Sequence, residues 1–409
     1  MRRLIVKLGP YGLSTLITFA TGIVSVPLII ALAGSTQWTG LAITQSIAAI
    51  GAVVVGFGWT AIGPTMIASM AADQRPDAYG RSLQVRALLF IATAPVAVWM
   101  AILITPLDPA AATMGVIAYL LQALGGMWYF IGESRPYRVV FLDTLPRTGA
   151  ILIALAALWF TRSMTVYTAV LLIGTLTAAV LAAVVILRGT RQRLMGWRAV
   201  GTELLQQRHG VIATASGVVY SNSPLIIASV LIPGPIEAFT LAFKLYHYAA
   251  AAFQPVVQLV QGWIPSSGPA HVTHRIRATQ RYSAIGAAGL FLGMAGLLPF
   301  VASLMSGGEI SVGFDLAVPF GVCLAAVFLN QVTGLACLTA VSRSDVLALS
   351  SFLGAVVGIG LLCGLALIAG QVGLAWALAL TECLVTSVQM IALFRTLNAH
   401  RTGNSRTAT

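Results

Sequence analysis

A lysine buried in an apolar stretch is the residue best placed to do chemistry in this sequence. Lys244 belongs to a row made by Glu237, Thr240, Lys244, His247, Ala251, Gln254, Gln258 and Gln261. Alternating spacings of three and four hold that row on one face of a helix. A charge near a bilayer centre costs at least ~2.5 kcal/mol on insertion scales, so the amine needs water or an anion beside it. Two plainer readings stand next to that one. The lysine snorkels outward, or it pairs with Glu237 or Glu382. His247, one turn further along, reads equally as a second polar contact, a proton carrier or a structural histidine. A milder polar row, Tyr11, Ser14, Thr18, Thr21 and Ser25, lies near the N-terminus. Hydroxyls at that spacing also glue membrane helices together.

A second cluster is basic. Glu133-Ser-Arg135-Pro-Tyr-Arg138 and Asp143-Thr-Leu-Pro-Arg147 gather three arginines and two acids into a short stretch. Arginine forks suit phosphate, so Arg135, Arg138, Asp143 and Arg147 are candidates for phosphate contact or gating, with mutual ion pairing as the alternative. The four cysteines, Cys323, Cys337, Cys363 and Cys383, have no metal-ligand spacing and read as buried apolar residues. No nucleophile–base pair and no phosphate-cradling glycine loop stands out. The expectation is a protein that is not an enzyme and uses no metal and no cofactor.

The elements that position these residues are membrane spans. Of 409 residues, 58% are hydrophobic and 8% charged, where a soluble domain carries roughly a quarter charged. Mean hydropathy is +0.92. The apolar runs fall at approximately 10–33, 40–70, 83–105, 113–132, 141–161, 166–187, 211–232, 237–264, 283–306, 313–341, 345–369 and 372–395, each long enough to cross a hydrocarbon core of ~30 Å. Gly63-Pro64 and Pro255 are the expected bends in the second and eighth. With the N-terminus inside, 21 of the 23 basic residues fall on the inner side, leaving Arg162 in an outer loop and Lys244 in a span. That bias sets both termini in the cytoplasm and accounts for the net charge of +12 without nucleic acid. The first apolar run, ending Ala31-Leu-Ala33, reads as an uncleaved helix because it is too long for a signal peptide.

The spans divide six and six, and the halves are alike. Ser25-Val-Pro-Leu-Ile-Ile-Ala31 matches Asn222-Ser-Pro-Leu-Ile-Ile-Ala228, Gln122 before Ser134-Arg135 matches Gln331 before Ser342-Arg343, and Gly58-Trp59 matches Gly262-Trp263. A duplicated unit in which both copies start inside is a parallel repeat. The expected fold is an all-α integral membrane protein of about 12 transmembrane helices in two parallel six-helix lobes around a central cavity. Residues 1–188 form the first lobe, 189–210 a cytoplasmic linker, 211–395 the second lobe and 396–409 a tail. Within the linker, Leu194, Trp197, Leu204 and Leu205 share a face ringed by arginines, the pattern of an interfacial helix or else of a solvated connector. Candidate substrate contacts are Lys244, His247, Gln254, Gln258, Gln261, Asn222, Tyr11, Thr18, Gln122 and Gln331. Away from loops and helix ends, Glu382 is the sole acid in a span, so a cavity would be neutral to basic and suit a phosphate-bearing substrate.

These residues also resemble a known family. The six-plus-six plan, the Pro-Leu-Ile-Ile repeat and Gly125-Gly-Met-Trp128-Tyr-Phe130-Ile-Gly132, followed by Arg135-Pro-Tyr-Arg138 and Leu142-Asp-Thr-Leu-Pro-Arg147, are similar to Wzx-type polysaccharide flippases. Those belong to the multidrug/oligosaccharidyl-lipid/polysaccharide exporter (MOP) superfamily. The resemblance implies translocation of an isoprenoid-pyrophosphate-linked oligosaccharide from the inner to the outer leaflet of the cytoplasmic membrane by alternating access. It also implies membrane lipids as surroundings, glycosyltransferases that build the substrate inside and a polymerase that extends it outside. A multidrug antiporter of the same superfamily is the alternative, against which the scarcity of acids argues. A major facilitator transporter stands further off, because Asp73-Gln-Arg75-Pro-Asp77-Ala-Tyr-Gly80-Arg81 only loosely echoes its inner-loop motif. Lipid-linked peptidoglycan-precursor flippases usually have two further helices.

Overall fold

Helix breaks, more than helices, give this molecule its form. The computed structural model describes residues 2–190, 194–267 and 269–406, with side chains described outside 2–11, 208–210, 212–214, 216, 267, 269–270 and 399–406. The helices run α1 (Arg2–Ala33), α2 (Ser35–Gly56), α3 (Trp59–Ser69), α4 (Arg75–Ile104), α5 (Pro109–Leu120), α6 (Met127–Gly132), α7 (Pro136–Val139), α8 (Leu145–Thr161) and α9 (Met164–Leu187). They continue with α10 (Trp197–Leu231), α11 (Glu237–Ala252), α12 (Gln254–Trp263), α13 (Pro269–Ser306), α14 (Phe314–Gln331) and α15 (Ser344–Arg406). No strand occurs among the described residues.

Nine helical stretches among the described residues are long and apolar enough to cross a membrane. One of them, Ser344–Asn398, is two spans divided at Ala369 (φ −131°) and Gly370 (φ +56°). The shorter Gly217–Leu231 and the broken pair α11–α12 supply the remaining two of the expected twelve. Large apolar side chains face outward along these helices, among them Ile91, Phe160, Leu292, Phe300 and Ile368. Hydrocarbon is the environment in which such a surface carries no penalty.

The chain forms two units, residues 1–229 and 230–409. In the first, α2 packs against α4 and α5, α5 and α8 pack against α9, and α3 lies on α6. Small residues permit the closest crossing. A Cβ on Gly63 of α3 would lie 2.4 Å from Cε3 of Trp128, and one on Gly132 of α6 would lie 2.7 Å from the Pro64 carbonyl. In the second unit, α14 is central, packed on α11, α13 and α15.

Two expected bends are corrected. The second span breaks at Phe57 (φ 36°) and Gly58 (φ 85°), while α3 runs through Gly63-Pro64. A left-handed pair ends a helix more sharply than a proline, which needs only a missing donor tolerated inside one. The eighth span breaks at Phe253, two residues before Pro255, which sits in the first turn of α12 where its lost N–H is harmless. Gly58-Trp59 therefore lies at a break and Gly262-Trp263 at a helix end, so those two pairs are not equivalent. The Ser-Arg pairs are. Ser134 (φ 55°) and Ser342 (φ 58°) both close a helix in the left-handed conformation. In each copy the next N–H reaches back to a carbonyl: Arg135 to Phe130 at 3.1 Å, Arg343 to Leu338 at 2.9 Å.

Candidate functional site

The polar row of the eighth span is split by the break at Phe253. Above it, α11 holds Lys244 and His247, both half-buried, between buried neighbours Phe243, Leu245 and Tyr246. The His247 ring stands edge-on to Phe243 with centroids 4.5 Å apart and is 5.2 Å from Tyr246. That aromatic wall continues through Phe243, Tyr246 and Phe320, against which the half-buried imidazole packs. Thr240 is fully buried and donates to the Ile236 carbonyl at 2.9 Å, so it serves its own helix. The N-terminal end of α11 is pinned by Gln371, whose Oε1 accepts from Phe239 N at 3.1 Å and whose Nε2 donates to the Pro235 carbonyl at 2.6 Å. The helix start is thereby capped by a side chain from 132 residues away.

Below the break, Gln254 opens α12 and donates through Nε2 to Oε1 of Gln331 at 2.7 Å. Gln331 is the last residue of α14 before a π-helical turn, Val332–Leu338. Two candidate residues thus meet where two helices are interrupted. Gln258 and Gln261 are exposed on α12. In the same unit, Glu382 accepts from Asn330 Nδ2 at 3.1 Å, and Gln280 donates to Thr333 Oγ1 at 3.1 Å across the π turn.

The first unit gathers a second set around its own interrupted helix. After α5, a 3-10 turn covers Leu121–Leu124 and the chain restarts at Met127. Arg147 Nη1 donates to Gln122 Oε1 at 3.2 Å, its Nη2 donates to the Gln122 carbonyl at 3.3 Å, and Nη2 lies 2.8 Å from Asp143 Oδ1. Gly125 is open to this cluster, since a Cβ there would lie 2.8 Å from Arg147 Nη2 and 3.5 Å from Asp143 Oδ1. Arg138 pairs with Glu133 at 3.2 Å, and exposed Arg135 stands 4.0 Å from the same carboxylate. Arg138 and Arg147 are therefore engaged with Glu133 and Asp143, and Arg135, at the longest distance from its acid, is the most open.

Arg86 was legible only as one more inner arginine. In the structure its side chain is 0% exposed. Nη1 donates to the carbonyls of Ala123 (2.8 Å) and Gly125 (3.2 Å), and Nη2 to Ser82 Oγ (3.3 Å). The guanidinium lies over the rings of Tyr79 and Trp128 at 5.5 and 5.4 Å, the stacking that a weakly hydrated planar cation accepts and an ammonium does not. The carbonyls it takes are those that the 3-10 turn leaves without helical partners. A hint was available: residue 86 stands three turns, about 16 Å, beyond Arg75 at the start of α4, too deep for a surface loop.

The remaining candidates are not brought into these clusters. Thr18 is exposed and donates to the Ser14 carbonyl at 3.0 Å, and half-buried Asn222 donates to the Val218 carbonyl at 2.9 Å. Both satisfy their own helices. The side chain of Tyr11 lies outside the described residues. Among the described residues no group of three His, Cys, Asp or Glu side chains could hold a metal ion.

No family model matches the chain, and no curated protein matches it in sequence. Solved structures do match. Lipid II flippase MurJ, in an inward closed conformation, superposes with a TM-score of 0.69 over 95% of this chain and 88% of its own, at 10% identity. An inward-facing multidrug resistance MATE family transporter of the MOP superfamily gives a TM-score of 0.61 over 97% and 99%, at 16% identity. A MOP superfamily transporter from Pyrococcus furiosus, described as having a binding pocket of reverse polarity, gives 0.56 over 97% and 95%, at 11% identity. The chain is an all-helical, multi-pass membrane protein with the two-lobed fold of MOP superfamily transporters and flippases.

Proposed function

We propose that this protein is a flippase that carries an isoprenoid-pyrophosphate-linked oligosaccharide from the inner to the outer leaflet of the cytoplasmic membrane, by alternating access, for cell-surface polysaccharide assembly. Lys244 carries the proposal: a cation set at half-burial beside His247 on α11, with Gln258 and Gln261 exposed on α12 beyond the break. The protein acts as a transporter and performs no catalysis. Lys244 and His247 hold the pyrophosphate, Gln258 and Gln261 meet the polar glycan, and the Gln254–Gln331 and Gln122–Arg147 contacts keep the interrupted helices in register. Arg135, open at its end of the first unit, is the first cation the headgroup meets on the cytoplasmic side. Tyr11 is a further candidate contact for the glycan, while Thr18 and Asn222 serve their own helices. Glycosyltransferases supply the substrate inside and a polymerase consumes it outside.

Physics favours the direction. A headgroup with about two negative charges gains ~2.3 kcal/mol per charge per 100 mV on leaving an inside-negative cell. A cation in a wet, protein-lined path lowers the barrier for the head while the isoprenoid chain stays in lipid. The likeness to a lipid II flippase supports a lipid-linked cargo. The likeness to MATE transporters supports a second possibility, a multidrug antiporter, against which the scarcity of acids in the spans argues.

Replacing Lys244 separates the two. In cells, Lys244→Glu at wild-type expression blocks surface glycan and traps the lipid-linked unit on the cytoplasmic side, while Lys244→Arg retains most export. Undiminished export by Lys244→Glu would overturn the proposed role, and loss of drug efflux without change in surface glycan would favour the antiporter.

A further inference from the structure

Residues 194–205 are two-sided in the structure. One side is tied to the first unit. Met195 N donates to Gln84 Oε1 at 2.9 Å, Glu203 pairs with Arg81 at 3.1 Å, and Val200 is buried with Tyr79, Trp128 and Ile186. The other side is apolar and open. Leu194 is 94% exposed, Trp197 81% and Leu205 63%, and Trp197 and Leu205 lie about two turns apart on one helical face. At the adjoining end of α9, a cavity of about 450 Å³ is lined, among the described residues, by Ala183, Val184, Val185, Leu187 and Arg188, which sets the Arg188 guanidinium beside apolar side chains.

We propose that this end of the first unit is a binding site for an acidic phospholipid of the cytoplasmic leaflet. One acyl chain fills the hollow along α9, the phosphate lies against exposed Arg188 with Arg198 nearby in the chain, and Trp197 and Leu205 dip into the interface. Charge complementarity selects this occupant. Residues 188–198 carry Arg188, Arg191, Arg193 and Arg198 and no acid, and Glu203, the next acid along, is already paired with Arg81. A neutral lipid would use the hollow and leave the arginines unanswered; an acidic one uses both. Docking α10 through Val200, with its apolar stripe in lipid, would hold the first unit at a fixed depth. The proposal assumes nothing about the transported cargo.

The test uses the full-length protein equilibrated with vesicles of phosphatidylcholine and phosphatidylglycerol, with retained lipid counted by native mass spectrometry. The wild type retains phosphatidylglycerol in preference to phosphatidylcholine. Each of Arg188→Gln and Arg198→Gln lowers that preference on the order of fivefold, which corresponds to ~1 kcal/mol per basic residue near the surface. Both side chains are exposed, so the variants fold, and an unchanged melting temperature checks this. In the second measurement, brominated phosphatidylglycerol quenches a fluorescence component that Trp197→Phe removes. Equal retention of the two lipids by the wild type, preference undiminished in both arginine variants, or no quenching at Trp197 would each overturn the proposal. Displacement of the retained phosphatidylglycerol by equimolar undecaprenyl phosphate would also overturn it, assigning the site to a cargo headgroup.

Discussion

Arg86 holds a positive charge where water does not reach, and it does so with neutral partners. Two backbone carbonyls, a serine hydroxyl and the faces of Tyr79 and Trp128 surround it. Removing the guanidinium orphans the Ala123 and Gly125 carbonyls, and a buried unsatisfied acceptor costs on the order of 1–3 kcal/mol. Arg86→Leu should therefore lower the melting temperature in detergent by more than a change at an exposed loop residue such as Arg162→Gln. Arg86→Lys should recover only part of the loss, because one ammonium cannot reach both carbonyls and stack on two rings. A melting temperature for Arg86→Leu equal to wild type would show that the 3-10 turn holds itself. Lys244, the cation on which the proposed function rests, is by contrast half-buried within α11.

Elements meet in this protein at their interruptions. The break at Phe253 and the π turn after Gln331 bring Gln254 and Gln331 together, and the 3-10 turn at Leu121–Leu124 brings Gln122 to Arg147. Backbone groups released by a break need partners in a membrane, and amide and guanidinium side chains provide them. A double-mutant cycle on Gln254→Leu and Gln331→Leu should give a coupling of about 0.6–1.7 kcal/mol, the range for interhelical hydrogen bonds in membranes. Additive losses would mean the amides act independently. The α3–α6 crossing depends on the opposite device, the absence of side chains. Gly63→Ala places a methyl on the buried Trp128 ring, an overpacking that typically costs 1–3 kcal/mol. Lower thermal stability should follow, with the surviving fraction keeping its export of surface glycan.

The whole molecule is governed by charge asymmetry and by duplication. The 21 inner basic residues predict that a fluorescent protein fused at the C-terminus folds and glows on the cytoplasmic side, while alkaline phosphatase fused there stays inactive; an active phosphatase would invert the topology. Duplication shows in paired features that carry no shared chemistry. Ser134 and Ser342 close their helices with the same left-handed turn, yet the first copy stitches its interrupted helix with Arg86 and the second with Gln280. One lobe has a buried cation where the other has an amide.

Apolar run length and the placement of arginines were enough to determine a membrane protein of about twelve spans, because bilayer thickness and the cost of charge act on local sequence. The Gln122/Gln331 and Ser134/Ser342 matches likewise announced the repeat, since each marks a local backbone event. Which polar residues point inward was decided only by tertiary structure. Thr240, Thr18 and Asn222 fit the polar pattern and turn out to bond their own helices, while Arg86 fits the loop pattern and is buried. A hydroxyl or an amide within a helix can always fold back on a carbonyl four residues earlier, and a guanidinium can be drawn inward only by acceptors on another segment. Neither choice is written in spacing alone; each depends on where the neighbouring chain breaks.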